Sequence, residues 1–247
     1  MSSSSLSRII KILLAAFLLL PLTAQGQSAE YERNARKAET SFAAREWLNA
    51  SAMYTLMLHE NPRQPDVYAH AIVAQCMAAD TARAVTMIQE AMNYAVPLDT
   101  LLSDVREVSL STGSPDMYEQ LLLKARDTYP YLARAFNIRL ADYYQFRTNG
   151  PMMVEYARRL LTTTPGNVRY RRLLAEGYML QGDDTAAARE WSGILADHPD
   201  DLPTLLDLGS LYWTTGRRAD ALPLLTRAYS IAPTPYLEHL ITRYHEK

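Results

Sequence analysis

The sequence predicts an all-α fold of about six helical hairpins followed by a C-terminal capping helix. Six prolines recur at nearly equal spacing along the 247 residues: Pro62, Pro97, Pro130, Pro165, Pro199 and Pro233. The intervals are 35, 33, 35, 34 and 34 residues, and the segments between show almost no alternating β pattern. A period near 34 that ends on proline is typical of a helical-hairpin repeat, and stacked hairpins form an α-solenoid.

Alignment on these prolines divides the chain into six units and a tail. The units span residues 31–62, 66–97, 99–130, 134–165, 168–199 and 202–233, approximately, and together with the tail they make one predicted superhelix over 27–247. Residues 235–246 place apolar side chains on one face and charged ones elsewhere. This tail is therefore predicted to be a capping helix with a hydrated outer side.

Residues 1–26 are predicted to be an export signal. Arg8 and Lys11 precede the apolar stretch Ile12–Leu22, and Ala24–Gly26 offers small residues for cleavage. The alternative is a retained anchor, but a membrane span needs about 20 apolar residues and this stretch is shorter. No cysteine near the junction could carry a lipid. We therefore expect a periplasmic protein with no stable membrane span after cleavage.

Charge and cysteine content exclude some classes of protein. The formal net charge is -2, and because residues 1–26 carry Arg8 and Lys11 but no acid, the remainder has a charge of about -4. A general nucleic-acid binder needs a concentrated basic surface, so no nucleic acid is expected as a partner. The only cysteine, Cys76, cannot form an internal disulfide and is predicted to be a buried, inert thiol.

Each unit repeats residue types with a structural role. A small residue on the first helix allows close approach, a glycine turns the chain, and a small residue on the second helix seats the crossing. An aromatic residue fills the groove between hairpins, and a proline stops the second helix. The predicted structural positions are Ala38, Ala50, Tyr54, Pro62, Ala175, Tyr178, Gly182, Ala187, Trp191, Pro199, Gly209, Tyr212, Gly216, Ala221, Ala228 and Pro233.

These positions resemble the tetratricopeptide repeat, with its W-x2-L-G-x2-Y, A-x3-F and closing P pattern, over about Tyr31 to Pro233. Units one, five and six follow the pattern closely. Units three and four depart from it, with Arg106, Tyr118 and Met153 where small residues are expected. The resemblance implies a right-handed superhelix and an exported protein of the Bacteroidetes type.

The resemblance also implies a binding groove. In tetratricopeptide domains the groove is lined by the second, fifth, ninth and twelfth residues of each first helix. Trp213 is the candidate anchor contact, although packing against the capping helix would explain it equally well. The corresponding residues in units four to six are Ile138, Asp142, Gln145, Arg169, Arg172, Glu176, Met179, Leu206, Ser210 and Trp213.

No sequence motif indicates an enzyme, and we predict neither a cofactor nor a metal site. The chain has no Gly-rich phosphate loop, G-x-S-x-G or H-E-x-x-H. The acid pairs Asp183–Asp184 and Asp200–Asp201 fall at corners, where carboxylates cap helices. Three Asp-Thr-Ala or Asp-Thr-Leu triplets, from Asp80, Asp99 and Asp184, resemble a Bacteroidetes O-glycosylation sequence, but they too fall at helix starts.

The predicted function is a non-enzymatic interaction scaffold that binds a peptide or helix of another envelope protein in its groove. The alternative is a glycan- or peptidoglycan-binding module that uses Trp213 and the basic cluster Arg169–Arg172, with Arg158 and Arg159 nearby. The same arginines could instead form a hydrated face paired with Glu155 and Glu176. An enzyme with an unrecognised site is the least favoured hypothesis.

Overall fold

The computed structural model describes residues 29–245, so the predicted signal peptide lies outside the described residues. The helices cluster into two compact units, with the boundary between Thr128 and Tyr129. The first unit contains α1 (29–43), α2 (Trp47–Glu60), α3 (Pro65–Met77), α4 (Thr81–Asn93), α5 (Leu98–Ser111) and α6 (Pro115–Thr128).

The second unit begins with a short 3-10 helix and ends with the C-terminal helix. It contains the 3-10 helix Pro130–Leu132, α7 (Ala133–Phe146), α8 (Gly150–Leu161), α9 (Val168–Leu180), α10 (Asp184–Asp197), α11 (Leu202–Thr214), α12 (Arg218–Ile231) and α13 (Pro235–His245). The all-α class is confirmed, with six hairpins and a final helix in the described part of the chain. The single superhelix over 27–247 stays a prediction.

Proline positions mark where the helices begin. Pro65, Pro115 and Pro235 are the first residues of α3, α6 and α13, and Pro151 and Pro203 are the second residues of α8 and α11. The first turn of a helix tolerates proline because its N–H groups have no intrahelical acceptor there. Pro223 differs from these, since it lies inside α12.

Every hairpin turn contains one residue with a left-handed backbone. Only three of these residues are glycines; the full set, with φ in parentheses, is Arg45 (61°), Ala79 (66°), Gly113 (73°), Thr148 (49°), Gly182 (77°) and Gly216 (82°). The α9–α10 turn shows the reason. The Gly182 N–H donates to the Met179 carbonyl and the Asp183 N–H to the Tyr178 carbonyl, each at 3.0 Å. This pair of bonds requires a left-handed residue between the two helices.

The residue after the left-handed position often caps the next helix. The side chains of Asp80, Asn149 and Asp183 each accept a hydrogen bond from the backbone N–H three residues further on, at 2.9, 3.2 and 2.9 Å. Asp201 caps α11 in the same way, at 3.1 Å from the Thr204 nitrogen. The predicted capping role of Asp183 and Asp201 is therefore confirmed, and one turn serves both helices.

Small residues and one large aromatic residue make the core of the fifth hairpin. Trp191 is 0% exposed, and its neighbours Ala175 and Ala187 are also completely buried. Its side chain belongs to a cluster that joins α9, α10 and α11. Trp191, the aromatic residue predicted to fill the groove between hairpins, is therefore a core residue. The other members of the cluster are Ala188, Ile194, Leu208 and Leu211.

The middle units are packed differently from the consensus. Tyr118 and Met153 hold positions where the pattern expects small residues, yet each is only 1% exposed. In the second compact unit, the fourth and fifth hairpins approach each other closely where α8 meets α9. A Cβ atom added at Gly177 would lie 2.9 Å from Val154 Cγ2 and 3.0 Å from the Gly150 carbonyl oxygen. Glycine at 177 therefore lets α9 approach α8 closely, without needing a small residue at 153.

None of the helices between residues 29 and 245 has both the length and the apolar content that a membrane span requires.

Candidate binding face

The ten predicted groove residues lie on three first helices of the second unit, and we call this set the binding face. Ile138, Asp142 and Gln145 lie on α7, Arg169, Arg172, Glu176 and Met179 on α9, and Leu206, Ser210 and Trp213 on α11. None of them is fully buried, and Met179 is 41% exposed. Their side chains can therefore be reached by a ligand, in contrast to the buried core residues.

Side chains of α7 and α9 are joined across the binding face. Arg169 forms an ion pair with Asp142, and Gln145 Nε2 donates to Glu176 Oε2 at 2.7 Å. These contacts connect the first helices of successive hairpins, and they fix two carboxylates and their partners in register. Because these side chains are partly solvent-accessible, such pairs add little to stability.

Asp207 on α11 is part of the same electrostatic environment, and the groove pattern does not select it. The pKa of Asp207 is raised to about 6, chiefly by burial and then by the charge of Glu176, with a smaller contribution from Asp201 and with Arg172 acting in the opposite direction. The sequence does contain a signal for this residue, since Asp207 is the only charged residue in the otherwise apolar α11. A single acid within a mostly apolar helix indicates a carboxyl group whose pKa depends on burial and on charged residues of neighbouring helices.

Arg172 has one polar atom without a partner. Its Nε is buried and makes no hydrogen bond to any described residue. A buried guanidinium N–H without an acceptor carries a desolvation cost. Because this atom is buried, only the exposed part of the Arg172 side chain can contact a ligand.

Trp213, Leu206 and Ser210 line a cavity of about 380 Å³ between α11 and α13. Trp213 also packs against the cluster of Leu205, Leu225 and Leu237, so it contacts the C-terminal helix region as well as the binding face. The Arg218 guanidinium carbon lies 5.4 Å from the centre of its ring. The packing interpretation of Trp213 is confirmed, and its role as an anchor contact stays a prediction.

The basic cluster of the sequence is separated in the structure. Arg171 lies 3.9 Å from a Glu190 oxygen and 3.3 Å from an Asp197 oxygen, so it pairs with α10 and not with the binding face. Arg159 pairs with Glu155 at 2.7 Å, which was one of the two predicted pairings. Glu176, the other predicted partner, accepts its hydrogen bond from Gln145 instead.

The chemistry of the described residues offers no metal cluster. No group of three or more His, Cys, Asp or Glu side chains among residues 29–245 is arranged to hold a metal ion. Cys76 is buried, and burial, followed by the charge of Asp80, raises the pKa of its thiol to about 12. Because the thiolate is the nucleophilic form, this cysteine is inert at neutral pH.

Comparison with known proteins gives matches to solved structures only. No family model matches the chain, and no curated protein matches it. A tetratricopeptide repeat protein from Parabacteroides merdae is 14% identical with a TM-score of 0.47, covering 82% of this chain and 80% of its own. The C-terminal part of a repeat-containing protein from Cytophaga hutchinsonii is 14% identical with a TM-score of 0.46, covering 79% and 78%.

A third similar structure is YrrB, described as a tetratricopeptide repeat protein with an unusual peptide-binding site. It is 16% identical with a TM-score of 0.47, covering 74% of this chain and 94% of its own. At these identities and TM-scores the three structures say nothing about the role of any residue here. The repeat period, the six hairpins and the buried repeat positions of the chain itself define an α-solenoid type of fold built from helical hairpins, similar to the tetratricopeptide repeat.

Proposed function

We propose that the protein is a non-enzymatic scaffold of the periplasm whose binding face holds a peptide or helix of another envelope protein. The observation that carries this proposal is the set of cross-helix contacts, Arg169 with Asp142 and Gln145 with Glu176, on the predicted binding face that also includes Trp213. Polar groups held in register on a face that also includes an aromatic side chain match the anatomy of protein interfaces, in which aromatic residues and arginine dominate the binding energy.

The energetics of these contacts favour exchange with a partner. Exposed ion pairs contribute between about 0 and 1 kcal/mol to stability, so a partner can replace them at little cost. Arg172 is partly exposed, and the exposed part of its guanidinium group can donate to a peptide carbonyl or carboxylate, whereas its buried Nε cannot. A peptide therefore gains hydrogen bonds on this face without having to break strong ones.

The periplasmic location rests on residues 1–26, whose basic start, apolar stretch and small residues are the features of a secretory signal. Cell fractionation with a C-terminal tag tests it, together with the N-terminal sequence of the recovered protein. We expect a periplasmic chain that begins near residue 25 or 27. A chain that keeps Met1 or stays in the cytoplasm would remove the envelope part of the proposal.

The scaffold function is tested by cross-linking in intact cells followed by affinity purification. We expect one protein partner to be recovered with the wild-type chain and to be lost with Arg172→Glu. The matched control is Arg189→Glu, which reverses the charge of an exposed arginine on α10, away from the binding face. A partner lost equally with both variants, or no protein partner at all, would refute the proposal.

The glycan-binding alternative receives less support from the arrangement of the arginines. Arg169 and Arg171 face different helices and both have acidic partners, so the sequence cluster does not form a single basic patch. Sedimentation with cell-wall sacculi still separates the two functions. We expect no cosedimentation. A chain that cosediments, and stops doing so as the Trp213→Ala, Arg172→Ala double variant, would favour the alternative.

A further inference from the structure

The cavity between α11 and α13 has an apolar wall and an exposed hydroxyl. No charged side chain of the described chain lines it, and Ser210 contributes an exposed hydroxyl group. Thr214 donates its hydroxyl hydrogen to the Ser210 carbonyl, and the Thr234 hydroxyl accepts from the Leu237 N–H; Tyr236 is a further hydroxyl-bearing residue of the lining. The apolar wall consists mainly of Leu202, Leu206, Trp213, Leu225, Leu237 and Leu240.

The position of α13 keeps this space open. Leu237 is 4% exposed and packs in one cluster with Leu205, Ala221 and Leu225, so α13 is fixed against α11 and α12. Close packing is the rule in protein interiors, and fixed apolar cavities of some 300 Å³ or more are typical of ligand sites. The described side chains leave about 380 Å³ unfilled here.

We propose that this cavity receives one uncharged apolar side chain, aromatic or branched aliphatic, from the peptide bound on the binding face. The inference rests on the proposed function and names the anchor of its ligand. Leu206, Ser210 and Trp213 belong both to the binding face and to the cavity wall, so a peptide that follows the first helices passes the opening. Trp213 is then the principal contact of the anchor.

The chemistry of the lining selects the kind of anchor. A charged side chain would lose its hydration in the cavity without meeting an opposite charge among the lining residues, which is costly. An apolar side chain loses only unfavourable hydration. The Ser210 hydroxyl can hydrogen-bond to the backbone of a peptide, whereas a lipid chain would offer it no partner. These features favour a peptide over an acyl chain.

A random library of short displayed peptides, selected on the purified chain from residue 27, supplies the probe. We expect the selected peptides to share one Trp, Phe, Leu or Ile and to carry no charge at that position. Replacing this residue by Ala should weaken binding by roughly tenfold or more, the effect typical of a buried anchor. Affinities are measured by isothermal titration calorimetry.

Two protein variants fill the cavity from different sides and guard against misfolding of either one. Ser210→Leu and Thr214→Leu should each lower the affinity for the selected peptide by roughly tenfold or more, while the circular dichroism spectrum of the protein stays unchanged. The control Ser192→Leu makes the same change at an exposed position on α10 and should leave the affinity unchanged. If both cavity variants bind the peptide as tightly as Ser192→Leu and the wild type, the proposal is overturned.

The outcomes separate this inference from the proposed function. Peptides that bind without a shared apolar residue, but depend on Arg172, would refute the anchor and leave the scaffold intact. No selected peptide, together with no cross-linked partner, would refute both. Native mass spectrometry covers the lipid case. An acyl adduct that is present in the wild type and absent from Ser210→Leu would assign the cavity to a lipid and overturn the proposal.

Discussion

Truncation of Trp191 separates a scaffold residue from a binding residue. We expect Trp191→Ala to lower the free energy of unfolding by about 3–5 kcal/mol, the usual cost of removing a buried large aromatic side chain. Trp191 is 0% exposed and contacts α9, α10 and α11 through one cluster, so its loss leaves a cavity that the three helices cannot easily close. The same change should leave the binding face intact in the folded protein.

The magnitude follows from the buried area and from one unsatisfied atom. A buried tryptophan removes about 150–250 Å² from water, worth about 4–6 kcal/mol, of which alanine retains a part. The Trp191 Nε1 is buried with no hydrogen-bond partner among the described residues, which costs about 1–3 kcal/mol in the native protein. Trp191→Phe removes this donor and leaves a smaller cavity, so we expect a much smaller loss than for alanine.

The assay is urea denaturation followed by far-ultraviolet circular dichroism, fitted for each transition that appears. Trp47→Ala is the matched control, because it makes the same truncation at a half-buried tryptophan in the first unit. We expect the control to cost less than Trp191→Ala. The reasoning is refuted if Trp191→Ala loses less than about 1 kcal/mol or if Trp191→Phe loses as much as alanine.

Three further predictions concern turns, close contacts and pH. Ala79→Gly removes the strain of a left-handed alanine and should raise the free energy of unfolding by up to about 1 kcal/mol, measured by urea titration. Gly182→Ala introduces the same strain and should lower it; changes of the opposite sign would contradict the turn assignment. Gly177→Ala should lower the free energy of unfolding by about 1–3 kcal/mol. The loss should exceed that for Gly209→Ala, because a Cβ at 177 meets the Gly150 backbone, whereas a Cβ at 209 meets the side chain of Leu225; equal losses would contradict this. The pKa of Asp207 is raised to about 6, so stability falls as pH rises from about 4 to 6. Asp207→Asn should therefore stabilise by about 1–2 kcal/mol at pH 8 and not at pH 4, and a gain at both pH values would point to packing.

The helices could be predicted from the sequence because their signals are local. The proline period sets the hairpin length, proline itself marks first turns, and Asp183 and Asp201 are residues that cap helices. The left-handed turn residues could be predicted only in part. The glycine at 182 indicates such a turn in the sequence. Ala79 and Thr148 adopt the same left-handed backbone conformation, although residues with side chains normally avoid it. Packing of the flanking helices imposes that strain, and no local pattern reveals it.

The contacts within the binding face could not be predicted from the sequence, because they join residues that are far apart along the chain. Arg169 reaches Asp142, and Gln145 reaches Glu176, across successive hairpins, so the sequence could place these residues on one face but could not pair them. Arg171 belongs to the same basic run yet turns toward α10, because helical geometry sends neighbouring residues to different faces. The cavity beside Trp213 depends on where α13 packs, which no residue spacing determines.

Site-specific photo-crosslinking in living cells tests the central claim most directly. A photoreactive amino acid is placed either at Met179, which is exposed on the binding face, or at Ser192, which is exposed on α10. The scaffold proposal predicts a discrete adduct with one envelope protein from position 179, mapped to one contiguous segment of that partner, and none from position 192. No adduct from position 179, or the same adduct from both positions, would contradict it.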